Sequence, residues 1–113
     1  MAMALIGAVV HSFGHMGGAM QAQGHAQLLL NLLVFGMDIQ QAIDAARIRH
    51  LSGMNVAIEG AVPDSVRAAL TRMGHVVAEG QRSQMGGSQA IIRLKRGYAA
   101  GSDPRKDGEA VGW

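Results

Sequence analysis

A mixed α/β fold of the α+β kind is predicted by three features of this 113-residue sequence. Short apolar runs bounded by glycine read as strands, and longer runs rich in Gln, Ala and Leu, closed by glycine, read as helices. A composition of 49% hydrophobic and 16% charged residues supplies a core and excludes a disordered segment. The length suits one domain at most, so residues 1–113 are read as a single segment.

The elements follow in order. Leu5 to Val10, with Gly-rich His15 to Ala19 after it, reads as a short buried strand followed by a turn. Gln21 to Phe35 has few β-branched residues and is followed by Gly36, where a left-handed C-cap residue is wanted. Leu28, Leu29, Leu30, Leu32, Leu33 and Val34 leave it little polar face, so it should be covered by a sheet and another helix together. Asp38 with Gln41 forms a D-x-x-Q capping box for a second helix. Its Ile39, Ala42, Ile43 and Ala46 share one stripe, while Gln40, Asp44 and Arg47 face away. Val56 to Glu59 is a strand. Pro63 opens a third helix with Val66, Ala69, Leu70 and Met73 on one stripe, and Gly74 stops it. His75 to Ala78 and Ser88 to Lys95 are strands, and Arg96-Gly97 turns the latter into Tyr98 to Gly101 as an antiparallel hairpin. Ser102 to Trp113 is charged and turn-rich, yet ends on apolar Val111-Gly112-Trp113.

Charge is unevenly placed. The first acidic residue is Asp38 and the first basic one Arg47, so residues 1–37 carry no formal charge apart from their histidines. A small domain normally spreads charge over its whole surface, and this stretch is therefore expected to lie inside a larger assembly. The run Met1 to Val10 lacks the Lys or Arg that precedes a secretory core and is about half of the ~20 residues a membrane span needs. No targeting segment is visible in this chain, and a cytoplasmic or periplasmic setting is equally open. The isoelectric point near 9.7 reflects a net charge of only +2, spread without a basic stripe, and no nucleic-acid or membrane partner is expected.

Without cysteine there are no disulfides, thiol nucleophiles or thiolate zinc sites. Thr71, the one threonine, sits inside the third helix, and none of the six serines lies in a G-x-S-x-G elbow. His11 and His15 have i, i+4 spacing, but Gly14, Gly17 and Gly18 argue against a helix, so hydrogen-bonded turn histidines are expected there and no metal or cofactor. His25, His50 and His75 are isolated in sequence. Gly17-Gly18, between a strand and a helix, allows two backbone N–H groups to face one anion or developing oxyanion, although a ligand-free tight turn would use Gly-Gly equally well. Gly86-Gly87 reads as a mobile loop feeding a strand, within Glu79 to Ser88.

Taken together, M-G-G-A-M-Q-A-Q-G-H-A-Q-L-L-L-N-L-L-V-F-G-M-D-I-Q-Q-A-I-D-A-A-R-I-R-H (Met16 to His50) and the closing G-S-D-P-R-K-D-G-E-A-V-G-W (Gly101 to Trp113) strongly resemble the C-terminal part of the small subunit of γ-glutamyltransferases. The intervening A-I-E-G-A-V-P-D-S-V-R-A-A-L-T-R-M-G-H-V-V and G-G-S-Q-A-I resemble the same family's connecting region, so the likeness spans nearly the whole chain. It implies part of a four-layer αββα N-terminal-nucleophile hydrolase. The family's precursors cut themselves so that a threonine begins the small subunit, and its hydroxyl attacks a γ-glutamyl carbonyl with its own amine, of pKa about 8, as base. Water or an acceptor amino acid or peptide resolves the acyl-enzyme.

The resemblance makes Gly17 and Gly18 the backbone donors of the oxyanion hole. Many members carry Pro before the pair and a polar residue after it, where this chain has Met16 and Ala19, which marks a divergent branch. The nucleophilic threonine is not in this chain. By the same resemblance, the groups that hold the substrate's α-amine and α-carboxylate belong to the missing N-terminal half of the small subunit and to the large subunit. The chain is thus expected to be a C-terminal fragment or divided protein, inactive alone, with those two pieces and a γ-glutamyl small molecule or peptide as partners. Glutathione-like donors fit the family. The alternative is a non-catalytic, truncated interaction or assembly subunit that buries its apolar half in a partner or in a homo-oligomer.

Overall fold

The computed structural model describes residues 2–6 and 9–112, with side-chain surroundings from His11 onward. The chain runs β1 (Ala2–Ile6), β2 (Val9–Met16), α1 (Met20–Leu33), α2 (Ile39–Asp44), β3 (Ile48–Ser52), β4 (Asn55–Glu59), α3 (Asp64–Arg72), β5 (Val76–Gly80), a 3-10 turn at Arg82–Gln84, β6 (Gly87–Arg93) and β7 (Tyr98–Ser102). One antiparallel sheet has the order β1-β2-β6-β7. A smaller one has the order β3-β4-β5, its first pair antiparallel and its second parallel across α3. The expected α+β class is what is found.

The larger sheet is covered on one face. Phe13 and Ala90 from the sheet meet Leu28 of α1 and Ile39, Ala42 and Ile43 of α2 in one buried cluster. Each large aliphatic side chain removed from water there contributes about 1.5–3 kcal/mol. A second cluster of Met20, Ala57 and Met85 fastens the first residue of α1 to β4 and to the residue after the 3-10 turn. The α2 start is as read: Asp38 accepts from Gln41 N–H at 2.8 Å while the Gln41 side chain accepts from Asp38 N–H at 3.1 Å. The β6–β7 hairpin is also as read, with Gly97 at φ +80°. Gly36 and Gly74 end their helices at φ +64° and +96°.

Two glutamines one helical turn apart on α1 act as a surrogate strand for β3. Gln27 exchanges hydrogen bonds of 2.6 and 3.0 Å with the Ile48 carbonyl and N–H. Gln23 does the same with His50 at 3.2 and 2.7 Å. An otherwise open sheet edge is satisfied without another strand.

Several expectations are corrected. Leu5 to Val10 is not one strand: two strands, ending at Ile6 and starting at Val9, flank residues 7 and 8, which lie outside the described residues. The Gly-rich segment is strand as far as Met16, because pairing with β6 carries β2 through Gly14 and His15. His11 and His15 are therefore strand rather than turn residues. Strand β3, not read from the sequence, precedes β4. Helix α2 stops at Asp44 and Ala45 turns extended at ψ 140°, so the helical phase that placed Arg47 outside is lost and Arg47 is buried. The stripe on α3 has no buried residue. Helix α1 packs on the sheet and against α2, but Leu30, Leu33, Val34 and Phe35 are 49, 50, 66 and 66% exposed, an apolar ridge at its C-terminal end. No helix among the described residues is long and apolar enough to cross a membrane.

Candidate active site

Strand β2 delivers the chain to a turn that only glycine can make. Gly17 has φ +133° and Gly18 φ +58°, and both are exposed. Their carbonyls accept from Met20 N–H at 3.1 Å and Gln21 N–H at 3.0 Å, which starts α1. Their own N–H groups make no hydrogen bond to the described residues. No side chain caps α1, and no acidic residue occupies its first turn, so the helix's positive end is left uncompensated beside these two donors.

The second glycine pair is the floor of the first. Gly86 and Gly87 are buried, and a Cβ on Gly17 would stand 2.9 Å from Gly86 Cα. A Cβ on Gly86, whose φ is +70°, would fall on the Met16 carbonyl and on the His15 ring. The mobile-loop reading of this segment is thereby corrected: Met85 at its centre is fully buried, and Gly87 already belongs to β6.

Beneath the two turns runs a buried polar network. His15 Nδ1 lies 2.6 Å from Ser88 Oγ. Arg47 Nη2 donates to Ser88 Oγ at 3.2 Å and to Asp103 Oδ2 at 2.6 Å, while Nη1 donates to the Met85 carbonyl at 3.1 Å. Asp103 also accepts from Ser88 N–H and Arg105 N–H. Arg105 completes the chain with an ion pair to Glu59 at 2.7 Å and bonds to the Ile43 and Ala45 carbonyls. Burial alone would raise the Asp103 pKa, but the two N–H groups and Arg47 hold it below the ordinary carboxylate value. Burial, then the Arg47 and His25 charges, lower the His15 pKa to about 4, so its ring is neutral at physiological pH.

Gly17 and Gly18 occupy the turn between β2 and α1. His25 is not isolated: its Nε2 accepts from His15 N–H at 3.0 Å, and its ring meets Phe13 edge-on at 5.5 Å. The His50 ring bonds locally, to the Gly53 carbonyl, while its backbone is held by Gln23. Sequence reasoning missed the supporting set of His15, Arg47, Glu59, Ser88, Asp103 and Arg105. The available signal was S-D-P-R, whose charges follow directly on a predicted strand. Beside the turn opens a cavity of about 680 Å³ whose lining includes Met16, Gln21, Gly87, Lys106 and Glu109. Among the described residues no group of three or more His, Asp or Glu could hold a metal. Trp113 lies outside the described residues.

The family model described as gamma-glutamyltranspeptidase matches residues 2–113. The "Glutathione hydrolase-like YwrD proenzyme" of Bacillus subtilis is 33% identical over 110 residues, covering 88% of this chain and 21% of that protein. A cephalosporin acylase from Bacillus halodurans superposes with a TM-score of 0.85 at 38% identity, over 89% of this chain and 19% of that one. The gamma-glutamyltranspeptidase of Pseudomonas nitroreducens superposes with a TM-score of 0.84 at 23% identity, over 99% of this chain and 60% of that one. The chain thus spans about a fifth of the first two relatives. Its fold is part of the four-layer N-terminal-nucleophile hydrolase architecture of these enzymes. The chain belongs to the gamma-glutamyltranspeptidase family.

Proposed function

We propose that the chain is the C-terminal part of the small subunit of an enzyme that cleaves γ-glutamyl amides of the glutathione type, passing the acyl group to water or to an amine. The nucleophile is a threonine upstream of this segment. Thr71 does not serve, since its hydroxyl donates to the Arg67 carbonyl within α3. When that nucleophile attacks, negative charge develops on the carbonyl oxygen, and the Gly17 and Gly18 N–H groups receive it. The observation that carries the reading is this pair of donors, unpaired among the described residues, at an uncapped helix start. One such donor is worth on the order of 10²–10³-fold in rate.

Gly18→Pro in the full-length protein removes a donor, and the acylation rate with a chromogenic γ-glutamyl anilide should fall on the order of 10²-fold with the donor KM nearly unchanged. An unaltered rate removes the oxyanion assignment. The isolated chain should show no turnover of that anilide. The cephalosporin acylase likeness makes an N-acyl cephalosporin the second donor to assay. The exposed ridge of Leu30, Leu33, Val34 and Phe35 favours a second reading, a non-catalytic assembly subunit. Intact masses and N-terminal sequences of the expressed full reading frame separate the two: a smaller subunit beginning with Thr supports the enzyme, a single unprocessed chain the assembly subunit.

A further inference from the structure

We propose that His15 is a positioning residue for this reaction: its imidazole, wedged between Gly24 of α1 and Gly86 and tied to Ser88, holds the Gly86 backbone against Gly17 and so aims the Gly17 and Gly18 N–H groups. The inference rests on the assignment of that pair as oxyanion donors.

The ring is fixed from every side. A Cβ on Gly24 or on Gly86 would overlap the His15 ring, so the imidazole fills space that only two glycines leave. Gly86 in turn touches Gly17, which places the ring one backbone away from the oxyanion turn. Ser88 Oγ, which also accepts from Arg47, lies 2.6 Å from His15 Nδ1 and ties the ring into the buried network. Nε2 is buried and makes no hydrogen bond to the described residues. The backbone of the same residue is held as well, because its N–H donates to His25. His15 belongs to the cavity wall but is only 5% exposed, with Nε2 buried and Nδ1 taken by Ser88, so its role in this proposal is to act through the turn and not on substrate.

The test is made in the full-length protein by single-turnover acylation with the γ-glutamyl anilide, alongside Gly18→Pro. His15→Asn keeps a polar amide group, able to donate or accept, near where Nδ1 stood but empties the ring space, and should lower kcat on the order of 10²-fold while KM stays within about twofold, since a shift of about 1 Å at a reacting centre costs that much. His15→Phe restores the ring volume and should recover most of the loss. Gly24→Ala works from the helix side. Helix propensity alone favours Ala there by about 1 kcal/mol, yet a Cβ pressed into the ring should lower kcat at least ~10-fold. Wild-type kcat in both His15→Asn and Gly24→Ala, while Gly18→Pro is crippled, overturns the role of His15 and leaves the oxyanion pair standing. Wild-type acylation by Gly18→Pro overturns the pair itself. If His15→Asn does not mature, Gly24→Ala decides alone.

Discussion

Gly17-Gly18 and Gly86-Gly87 touch each other, yet one pair is exposed and the other buried. Around Gly18 there is nothing within 4 Å of a Cβ, and the residue is constrained only by its φ of +58°. Around Gly86 both constraints act, since φ is +70° and the Cβ position is already taken by Met16 and His15. The same dipeptide therefore serves two purposes. The outer pair keeps its N–H groups available, and the inner pair lets two segments of backbone approach. Sequence shows glycine in both places and cannot separate these purposes; the neighbours do.

The sharpest way to break the symmetry is to add one methyl group to each pair. Gly86→Ala forces backbone apart beside the Gly17-Gly18 turn, and the full-length protein should be destabilised by about 3 kcal/mol or more, with activity lost in step. Gly87→Ala displaces only the flexible Lys106 stem, whose Cγ is 2.5 Å from the added Cβ, and a thermal-melt comparison should show a much smaller loss. Gly18→Ala retains its N–H, so it should cost about 1–2 kcal/mol of stability from the left-handed backbone alone while keeping most of the acylation rate. An Ala at Gly18 as damaging to rate as Pro would mean that shape, and not the donor, is what matters there.

A further comparison concerns pH. His15 has a folded pKa of about 4 against an ordinary 6.5, with Arg47, His25 and Asp103 as its charged neighbours. The unfolded chain therefore binds the extra proton first as pH falls. The stability contributed by the neutral ring is whole above pH 6.5 and is lost between there and about 4, at no more than about 1.4 kcal/mol per pH unit. Denaturant melts across that window should show a shallower slope in His15→Phe than in the natural protein.

Local signals carried part of the fold. Asp38 with Gln41, Gly74 after α3, and Arg96-Gly97 act within a few residues of themselves, and the α2 capping box, the α3 stop and the hairpin stand as read, while Pro63 caps α3 and is not its first residue. The misread elements depend on distant partners. Gly14 and His15 look like turn residues until β6 pairs with them. Strand β3 lacks clean alternation because neither of its faces is buried. Arg47 seemed to continue a helical face that in fact ends before it, and its partner Asp103 lies 56 residues away. Of the site, the outer glycine pair was legible through its position between a strand and a helix. The histidine and the ion pairs beneath it were not, because no spacing in the chain announces contacts across such separations.

The clamp between Gln23, Gln27 and β3 uses only main-chain atoms of the strand. Helix α1 is thus oriented without reference to which side chains β3 carries. Natural variation at Leu51 or Ser52 can accumulate with little effect on the start of α1, whereas replacing either glutamine would let the helix roll about its own axis. The strand is in this sense an evolutionary buffer, free to adapt to whatever neighbours it while the turn at Gly17 keeps its aim.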